Sequence, residues 1–437
     1  MKNRFVLLLT AAGLSSSAIA SDLLDTYRMA LDSDPGYRSS IYLRQATAKQ
    51  PDIARSALRP SVSLSANGDL IREDMNAGGI NSGSDEYSSL GAGISLNQAL
   101  YDRQSSIAVD QAELADQRAG TDLSSSEDDL IIRVATSYFA VLGAIDNLEL
   151  ATSEKIAIKR QLELADERLN VGIGTQTDLY DARARFQLAE AREIQARNLI
   201  EDARQSLIAI VGGDPGELDR LRDDTPLEMP DPQSEADWVA LAKANNPDLK
   251  SALIDLEIAR QEVERLKYAR HPSVFLNAGH NYNDTSGSAN NGSGDRNKTQ
   301  IGVGLDWPLY LGGSVEALVQ QAGLNANAQE SQTELTRRQI ERNVRDVYNN
   351  VTSGIKLVEA FDQAVIASES AVEAKEEGYA AGLITNLDVL DAQRDLYQAQ
   401  LDYLRARYDY ILSVLRLEQA SGLLDETDVA RVNSWLR

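Results

Sequence analysis

The sequence has no cysteine and only two histidines among its 437 residues. The lack of cysteine excludes disulfide bonds, thiolate metal sites and a lipid attached to an N-terminal cysteine. His271 and His280 are too few for a histidine-rich metal site. After residue 20 no stretch approaches about 18 consecutive apolar residues, so the sequence predicts no transmembrane helix. This criterion does not detect membrane-spanning β-strands, because their apolar residues alternate with polar ones.

Basic residues are also scarce, with 43 Lys and Arg against 67 Asp and Glu and a formal net charge of −24. This acidity argues against nucleic acid and anionic lipid surfaces as partners. The sequence contains no phosphate-binding loop and no dinucleotide fingerprint. Ser353 and Lys356 have the spacing of a serine–lysine pair, but they lie in a helical pattern as ordinary surface neighbours. We therefore predict neither enzymatic activity nor a cofactor.

The N-terminal segment 1–20 has the pattern of a secretory signal peptide. Lys2 and Arg4 precede an apolar core at 5–14, and Ala18-Ile19-Ala20 forms a small-x-small cleavage site. A core of this length is too short to span a bilayer, which needs about 20 apolar residues. The sequence thus predicts an exported mature chain that begins near Ser21.

Four short motifs of the first half of the chain recur in the same order, at nearly constant offset, in the second half. The motifs at Asp34-Pro35, Arg59-Pro60, Leu100-Tyr101 and Gly172-x-x-Thr175 return at Asn246-Pro247, His271-Pro272, Leu309-Tyr310 and Gly382-x-x-Thr385. Four ordered matches indicate an internal duplication. We predict repeats at 21–211 and 237–424, a proline-rich linker at 212–236 and a C-terminal tail at 425–437.

Each repeat has the pattern of a helix, two strands and a long helical hairpin. Strands are predicted within about 60–99 and 272–309, where apolar residues such as Ile301, Val303 and Leu305 alternate with glycine or aspartate. Hairpins are predicted at about 102–211 and 313–422, where apolar residues such as Leu401, Leu404 and Tyr408 have coiled-coil spacing. Four strands in lipid would leave two unpaired edges, so a membrane form must contain several copies, whether two, three or more.

Both hairpins carry the same turn motif. Gly172 and Gly382 suit the end of a helix, and the pairs Thr175/Asp178 and Thr385/Asp388 suit capping boxes that begin the next helix. Capping is one explanation of these aspartates, and a position in the lumen of a channel is the other. Asp181 and Asp391, one turn further on, are explained by the helix dipole, and a lumen role is the alternative for Asp391.

The duplication, the order of elements and the two turns resemble the TolC family of outer-membrane efflux proteins. The resemblance covers about 21–424, and the turns at 172–178 and 385–392 are its most specific parts. It implies a mixed α and β membrane protein that forms a homotrimer, with a 12-stranded β-barrel in outer-membrane lipid and a periplasmic coiled-coil tunnel. It also implies a periplasmic adaptor and an inner-membrane transporter of ABC, RND or MFS type as partners, in a Gram-negative bacterium. The missing cysteine places the chain in the non-lipidated branch.

The resemblance also implies roles for particular residues. Asp388 and Asp391 would form the periplasmic gate that selects ions, with non-specific cation binding as the only metal interaction. Asp178 and Tyr379 would hold neighbouring hairpins together. The exposed turn residues would dock the adaptor; they are Gly172, Ile173, Gly174, Gly382 and Leu383. Some family members have an arginine where this chain has Ile384, so a latch between that arginine and Asp178 is not expected here.

Two other functions compete with an export channel. A periplasmic adaptor also contains a long helical hairpin, but typically one hairpin with an inner-membrane anchor or lipid, whereas this sequence predicts two hairpins. A soluble structural coiled coil would need neither alternating strands nor a signal peptide. The cargo stays open among drugs, metal ions and proteins.

Overall fold

The computed structural model describes residues 21–75, 83–287 and 293–437. The predicted signal peptide lies outside the described residues. The first repeat comprises α1 (Leu23–Ser33), α2 (Pro35–Thr47), α3 (Gln50–Ser56), β1 (Ser61–Met75), β2 (Gly83–Tyr101), α4 (Arg103–Asn170) and α5 (Gln176–Val211). The second comprises α6 (Glu235–Asn245), α7 (Pro247–Lys267), a short 3-10 turn (Tyr268–Arg270), β3 (Ser273–Ser286), β4 (Gly294–Asp306), α8 (Ser314–Ala380) and α9 (Asn386–Ser421), followed by α10 (Glu426–Asn433). Within the described ranges no helix is both long and apolar enough to cross a membrane.

The chain forms two compact units, and each unit takes segments from both repeats. One unit contains 124–246 and 338–437 together with the described residues up to 40, and the other contains 41–123 and 247–337. The helices α4 and α8, of 68 and 67 residues, contribute to both units. Sequence repeats and compact units therefore divide the chain differently.

The second unit contains a four-stranded antiparallel sheet in the order β1-β2-β3-β4. Apolar residues alternate onto one face, where Val62, Leu64, Ile301 and Val303 are all largely exposed. On the other face the hydroxyls of Ser63 and Ser95 lie 2.7 Å apart. β1 and β4 are the edge strands, since each pairs on one side only within the described sheet.

The unit that contains 124–246 and 338–437 has a core formed by residues at the predicted coiled-coil positions. The buried residues of this core include Leu130, Val134, Tyr138 and Val141 of α4, Val344 and Val351 of α8, and Ile411 and Leu415 of α9. Nearer the turns a smaller cluster replaces it, made of Ile158, Ala165, Ala182, Ala189 and Leu390. Three of these five residues are alanines, so helix packing near the turns buries far less apolar volume.

The C-terminal segment 425–437 contains α10 and packs against the core. Asp425 caps α10 with a capping box, and Val429 and Val432 of α10 are buried in the main core. The backbone of Arg437 pairs with that of Arg220 through two hydrogen bonds of 2.9 Å. A helix of eight residues has too short a run of apolar spacing to stand out in the sequence.

Candidate functional site

The two turns that join the hairpin helices have the same backbone geometry. After α4, the N–H of Ile173 donates to the Arg168 carbonyl at 2.9 Å, and Gly172 has a positive φ of 79°. After α8, the N–H of Leu383 donates to the Gly378 carbonyl at 2.9 Å, and Gly382 has a φ of 74°. This is the Schellman ending, in which glycine takes the left-handed position without strain.

Both turns present apolar side chains to solvent. Ile173 is 77% exposed and Leu383 is 81% exposed. Position 174 requires glycine because the chain passes close to the end of α4 there, and a Cβ would lie 2.7 Å from the backbone nitrogen of Leu169. The residues predicted to dock an adaptor are thus brought to the ends of the two hairpins, where a partner can reach them.

Each turn leads into a capping box at the start of the next helix. The Thr175 hydroxyl accepts from the Asp178 N–H at 3.0 Å, and the Asp178 carboxylate accepts from the Thr175 hydroxyl and N–H. The Asp388 carboxylate likewise accepts from the Thr385 hydroxyl at 2.6 Å and N–H at 3.0 Å. Both aspartates therefore cap helices, as the sequence motif predicts.

Capping also favours the ionised form of the Asp388 carboxyl. The hydrogen bonds from the Thr385 hydroxyl and backbone hold the pKa of the Asp388 carboxyl below its ordinary value, and the positive charge of Lys375 adds to this effect. Asp388 is partly exposed to solvent in the protomer. Asp388 can cap α9 and present a negative charge at the same time, so the capping and lumen roles are compatible.

Asp391 has a different environment from Asp388. Its Oδ1 lies 2.8 Å from a guanidinium nitrogen of Arg185 on α5 and 3.4 Å from one of Arg394 on α9. These two arginines compensate its charge within one protomer. The pair with Arg185 also joins the first-repeat hairpin to the second, a contact that the sequence did not predict.

Tyr379 joins the same two hairpins through a second arginine. Both terminal nitrogens of Arg168 donate to the Tyr379 carbonyl at 3.2 Å, and the guanidinium lies over the Tyr379 ring. Among the described hydrogen bonds, Asp178 contacts Thr175 and not Tyr379. Ile384 is half-buried, and a Cβ on Gly378 would be only 3.4 Å from its side chain.

Comparison of the repeats contained a signal for these arginines. With the offset of the turn motif, Arg168 corresponds to Gly378 and Arg185 corresponds to Asp395. An arginine in the first repeat is thus replaced by a glycine or an acid in the second. Arg168 and Arg185 are therefore specific to the first repeat, and the equivalent residues of the second repeat cannot copy their contacts with Tyr379 and Asp391.

Asn386, the first residue of α9, is fully buried next to this site. Neither atom of its side-chain amide has a hydrogen-bond partner among the described residues. Most buried polar groups are bonded, because an unpaired one costs about 1–3 kcal/mol. Such a group at a helix start is a second feature that the motif did not reveal.

Across the described ranges, no group of three or more His, Asp or Glu side chains is placed to hold a metal ion. Cation binding at Asp388 and Asp391 stays a prediction, since it would depend on several copies of the chain.

Known proteins resemble this chain over nearly its whole length. The family model described as outer membrane efflux protein matches residues 26–213 and 238–423. Outer membrane protein TolC of Vibrio cholerae is 37% identical over 100% of this chain and 99% of the relative. Alkaline protease secretion protein AprF of Pseudomonas aeruginosa is 31% identical over 96% of this chain and 88% of the relative.

The fold also matches solved structures. The outer membrane protein VceC from Vibrio cholerae superposes with a TM-score of 0.77 at 20% identity, covering 92% of this chain and 96% of that one. The family match over both repeats and the full-length relatives agree with this fold: the chain belongs to the outer membrane efflux protein family and is an outer-membrane exit duct.

Proposed function

We propose that three copies of this chain form one duct, with their strands closing a 12-stranded barrel in the outer membrane and their helical hairpins enclosing a periplasmic tunnel. The observation that carries this proposal is the open sheet, whose edges β1 and β4 have backbone groups left to pair. An edge exposed to lipid is unfavourable, because each unsatisfied backbone group costs several kcal/mol there. Pairing of β4 with β1 of the next copy removes every edge.

The surface of the sheet supports its placement in lipid. Leu64, Leu70 and Ile301 are each more than three-quarters exposed in the protomer. The opposite face carries serine and asparagine on β1, and glutamine, glycine and aspartate on β4. An exposed row of large apolar side chains is typical of a lipid or protein interface. In a closed barrel the apolar face would meet lipid and the polar face would line the lumen.

The partners we propose are a periplasmic adaptor and an inner-membrane transporter. The exposed side chains of Ile173 and Leu383 give the hairpin ends two apolar contact points for an adaptor. The name of AprF connects that relative with protease secretion, and another relative is named for efflux. We therefore propose that the cargo is handed over from a transporter of ABC, RND or MFS type.

At the hairpin ends we propose that Asp388 and Asp391 line the entrance. Around a threefold axis each would form a ring of three carboxylates, which favours cations and raises the cost of full ionisation. Arg185 already compensates Asp391 in the protomer, so the Asp388 ring supplies most of the uncompensated charge. Contacts of Asp178 and Tyr379 with a neighbouring copy would add to the intramolecular contacts described above.

The mass of the detergent-solubilised protein tests the assembly. A trimer extracted from outer membranes is expected, and a monomer would contradict the proposal.

A photo-crosslinking residue at Ile173 or Leu383 tests the docking ends, and it should capture an adaptor from cells. Leu188, which is 56% exposed on α5 away from the turn, is the matched control. Crosslinks confined to the duct itself would refute docking at these ends.

A further inference from the structure

The internal duplication extends to the hydrogen-bond register of the sheet. In the first repeat Ser61 pairs with Asn97, and in the second Ser273 pairs with Asp306. Ser61 and Ser273 are separated by the same offset as the Arg59-Pro60 motif and its copy. Asn97 and Asp306 are separated by the same offset as the Leu100-Tyr101 motif and its copy. The two β-hairpins are therefore equivalent residue by residue.

The pairing of the two β-hairpins inside one chain therefore predicts how the β-hairpins of two neighbouring copies pair. Inside the chain, β2 of the first hairpin pairs with β3 of the second, with Asn97 opposite Asn277. If identical hairpins follow one another around a closed sheet, β4 must meet the next β1 as β2 meets β3. Asp306 is the equivalent of Asn97 in the second repeat, and Ser65 is the equivalent of Asn277 in the first repeat.

We propose that β4 of one copy pairs antiparallel with β1 of the next copy in a register that places Asp306 opposite Ser65. This inference rests on the proposed duct and specifies its subunit interface. The same register places Leu305 opposite Ala66 and Ile301 opposite Leu70. It continues to Asn297 opposite Asp74, so nearly all of β4 is paired.

The side chains along this interface are complementary. Leu305 with Ala66 and Ile301 with Leu70 put apolar residues together on the apolar face, like Leu96 with Ala278 inside the chain. On the polar face, Gly302 faces Asp69. That pair repeats Gly93 with Asn281, where the Asn281 side chain occupies the space above the glycine. The polar side chain again gains room from the missing Cβ.

Registers shifted by one residue are excluded by the alternation of the strands. A slip of one would move every apolar residue of β4 to the polar face of the sheet. A slip of two keeps the faces but loses the Gly302–Asp69 pair and shifts the strand ends out of alignment. The test must therefore distinguish registers that differ by two.

Disulfide formation can do so, because the chain contains no cysteine. Directly opposite residues have Cβ atoms about 4.5–5.5 Å apart, whereas diagonal neighbours are too distant for a good disulfide. The test pair is Ala66→Cys with Leu305→Cys. The shifted pairs are Leu64→Cys with Leu305→Cys and Gly68→Cys with Leu305→Cys, which lie on the same face. Leu96→Cys with Ala278→Cys is the equivalent pair inside the chain and calibrates the oxidation.

Outer membranes carrying each variant would be oxidised with copper phenanthroline and run on non-reducing SDS gels. The test pair should give covalent dimers and trimers at a rate close to that of the internal pair, and each shifted pair severalfold less. Faster crosslinking of a shifted pair in a protein of trimeric mass overturns the register alone. Crosslinking of the internal pair only, in a protein of monomeric mass, overturns the proposed duct as well.

Discussion

The guanidinium carbon of Arg168 lies 4.1 Å from the centre of the Tyr379 ring, and the same guanidinium donates twice to the Tyr379 carbonyl. This contact joins α4 to the end of α8, so it ties together the ends of two hairpins from different repeats. It uses the ring face and the backbone of the tyrosine, and it makes no use of the hydroxyl. The contact therefore separates two ways in which Tyr379 could restrain the entrance.

Replacement of Tyr379 by phenylalanine should leave the resting conductance of the duct in planar bilayers nearly unchanged, because the ring and carbonyl remain. Arg168→Gln should raise it, because the cation–π contact, worth about 0.5–1 kcal/mol at an exposed site, is lost. If Tyr379→Phe raises conductance as much as Arg168→Gln, the hydroxyl contact with a neighbouring hairpin is the important one.

Arg185→Gln should increase the cation preference of the duct, because it uncovers the charge of Asp391 in each copy. Asp388→Asn should lower the cation-to-anion permeability ratio severalfold, and Asp391→Asn should also lower it, because the positive charge of Arg185 then lacks its partner. The measurement is the reversal potential in a salt gradient, with Arg183→Gln, an exposed arginine on the same helix, as the control.

Loosening of the hairpins by Arg185→Gln must be separated from its effect on charge. The double variant Arg185→Gln with Asp391→Asn lacks the ion pair but adds no negative charge. If its cation preference equals that of Arg185→Gln, the effect comes from loosening. If neither Arg185→Gln nor Asp391→Asn changes the permeability ratio, this ion pair does not face the entrance.

The Thr385 cap should make the proposed cation preference persist in acid. The pKa of the Asp388 carboxyl lies below its ordinary value. The negative charge of Asp388, and the helix stabilisation that this charge gives as a cap, are therefore fully present above the ordinary pKa. Both are lost as pH falls through the lowered pKa. Thr385→Ala removes the hydroxyl bond and should move this loss to a higher pH. The pH at which half of the selectivity remains is the measurement, and Thr175→Ala, at the equivalent position of the first repeat, should not change it.

Tyr408 supports a buried carboxylate in the helical core. Its hydroxyl donates to Asp146 at 2.5 Å, and burial raises the pKa of the Asp146 carboxyl while this hydrogen bond opposes the rise. Tyr408→Phe should lower stability by about 1–3 kcal/mol at neutral pH, because the carboxylate loses a partner. Tyr397→Phe, which breaks a bond to the neutral side chain of Asn147, should cost less.

The pH dependence gives the second readout for Tyr408. Because the pKa of Asp146 is raised on folding, the folded state binds the proton more tightly, and stability falls as pH rises through the raised pKa. Tyr408→Phe should steepen this fall in thermal unfolding followed by helical circular dichroism. Equal losses in Tyr408→Phe at low and neutral pH would show that Asp146 is not the group responsible.

The parts of the fold with a regular period were predictable from the sequence. Alternation in β1 and β4 and the coiled-coil spacing of α4, α8 and α9 follow directly from which side chains avoid water, and the capping boxes follow from local hydrogen bonding. Arg168 and Arg185 were not predicted, since their partners lie in the other repeat and a surface arginine has no local signature. The division into compact units depends on how segments of both repeats pack together, which no local pattern in the sequence encodes.

The core near the turns has a consequence for how tightly different parts of one helix are held. Along α4, Val134 and Tyr138 lie in a large aromatic and aliphatic core, whereas Ile158 and Ala165 lie in a small one. The side-chain oxygen of the buried Gln161 between them has no hydrogen-bond partner in the part of the chain that the structure describes. Amide hydrogens near residue 160 should exchange through local opening at a free energy well below that of global unfolding. One continuous helix thus contains a rigid stretch and a compliant one, so its end can be displaced without unfolding the rest.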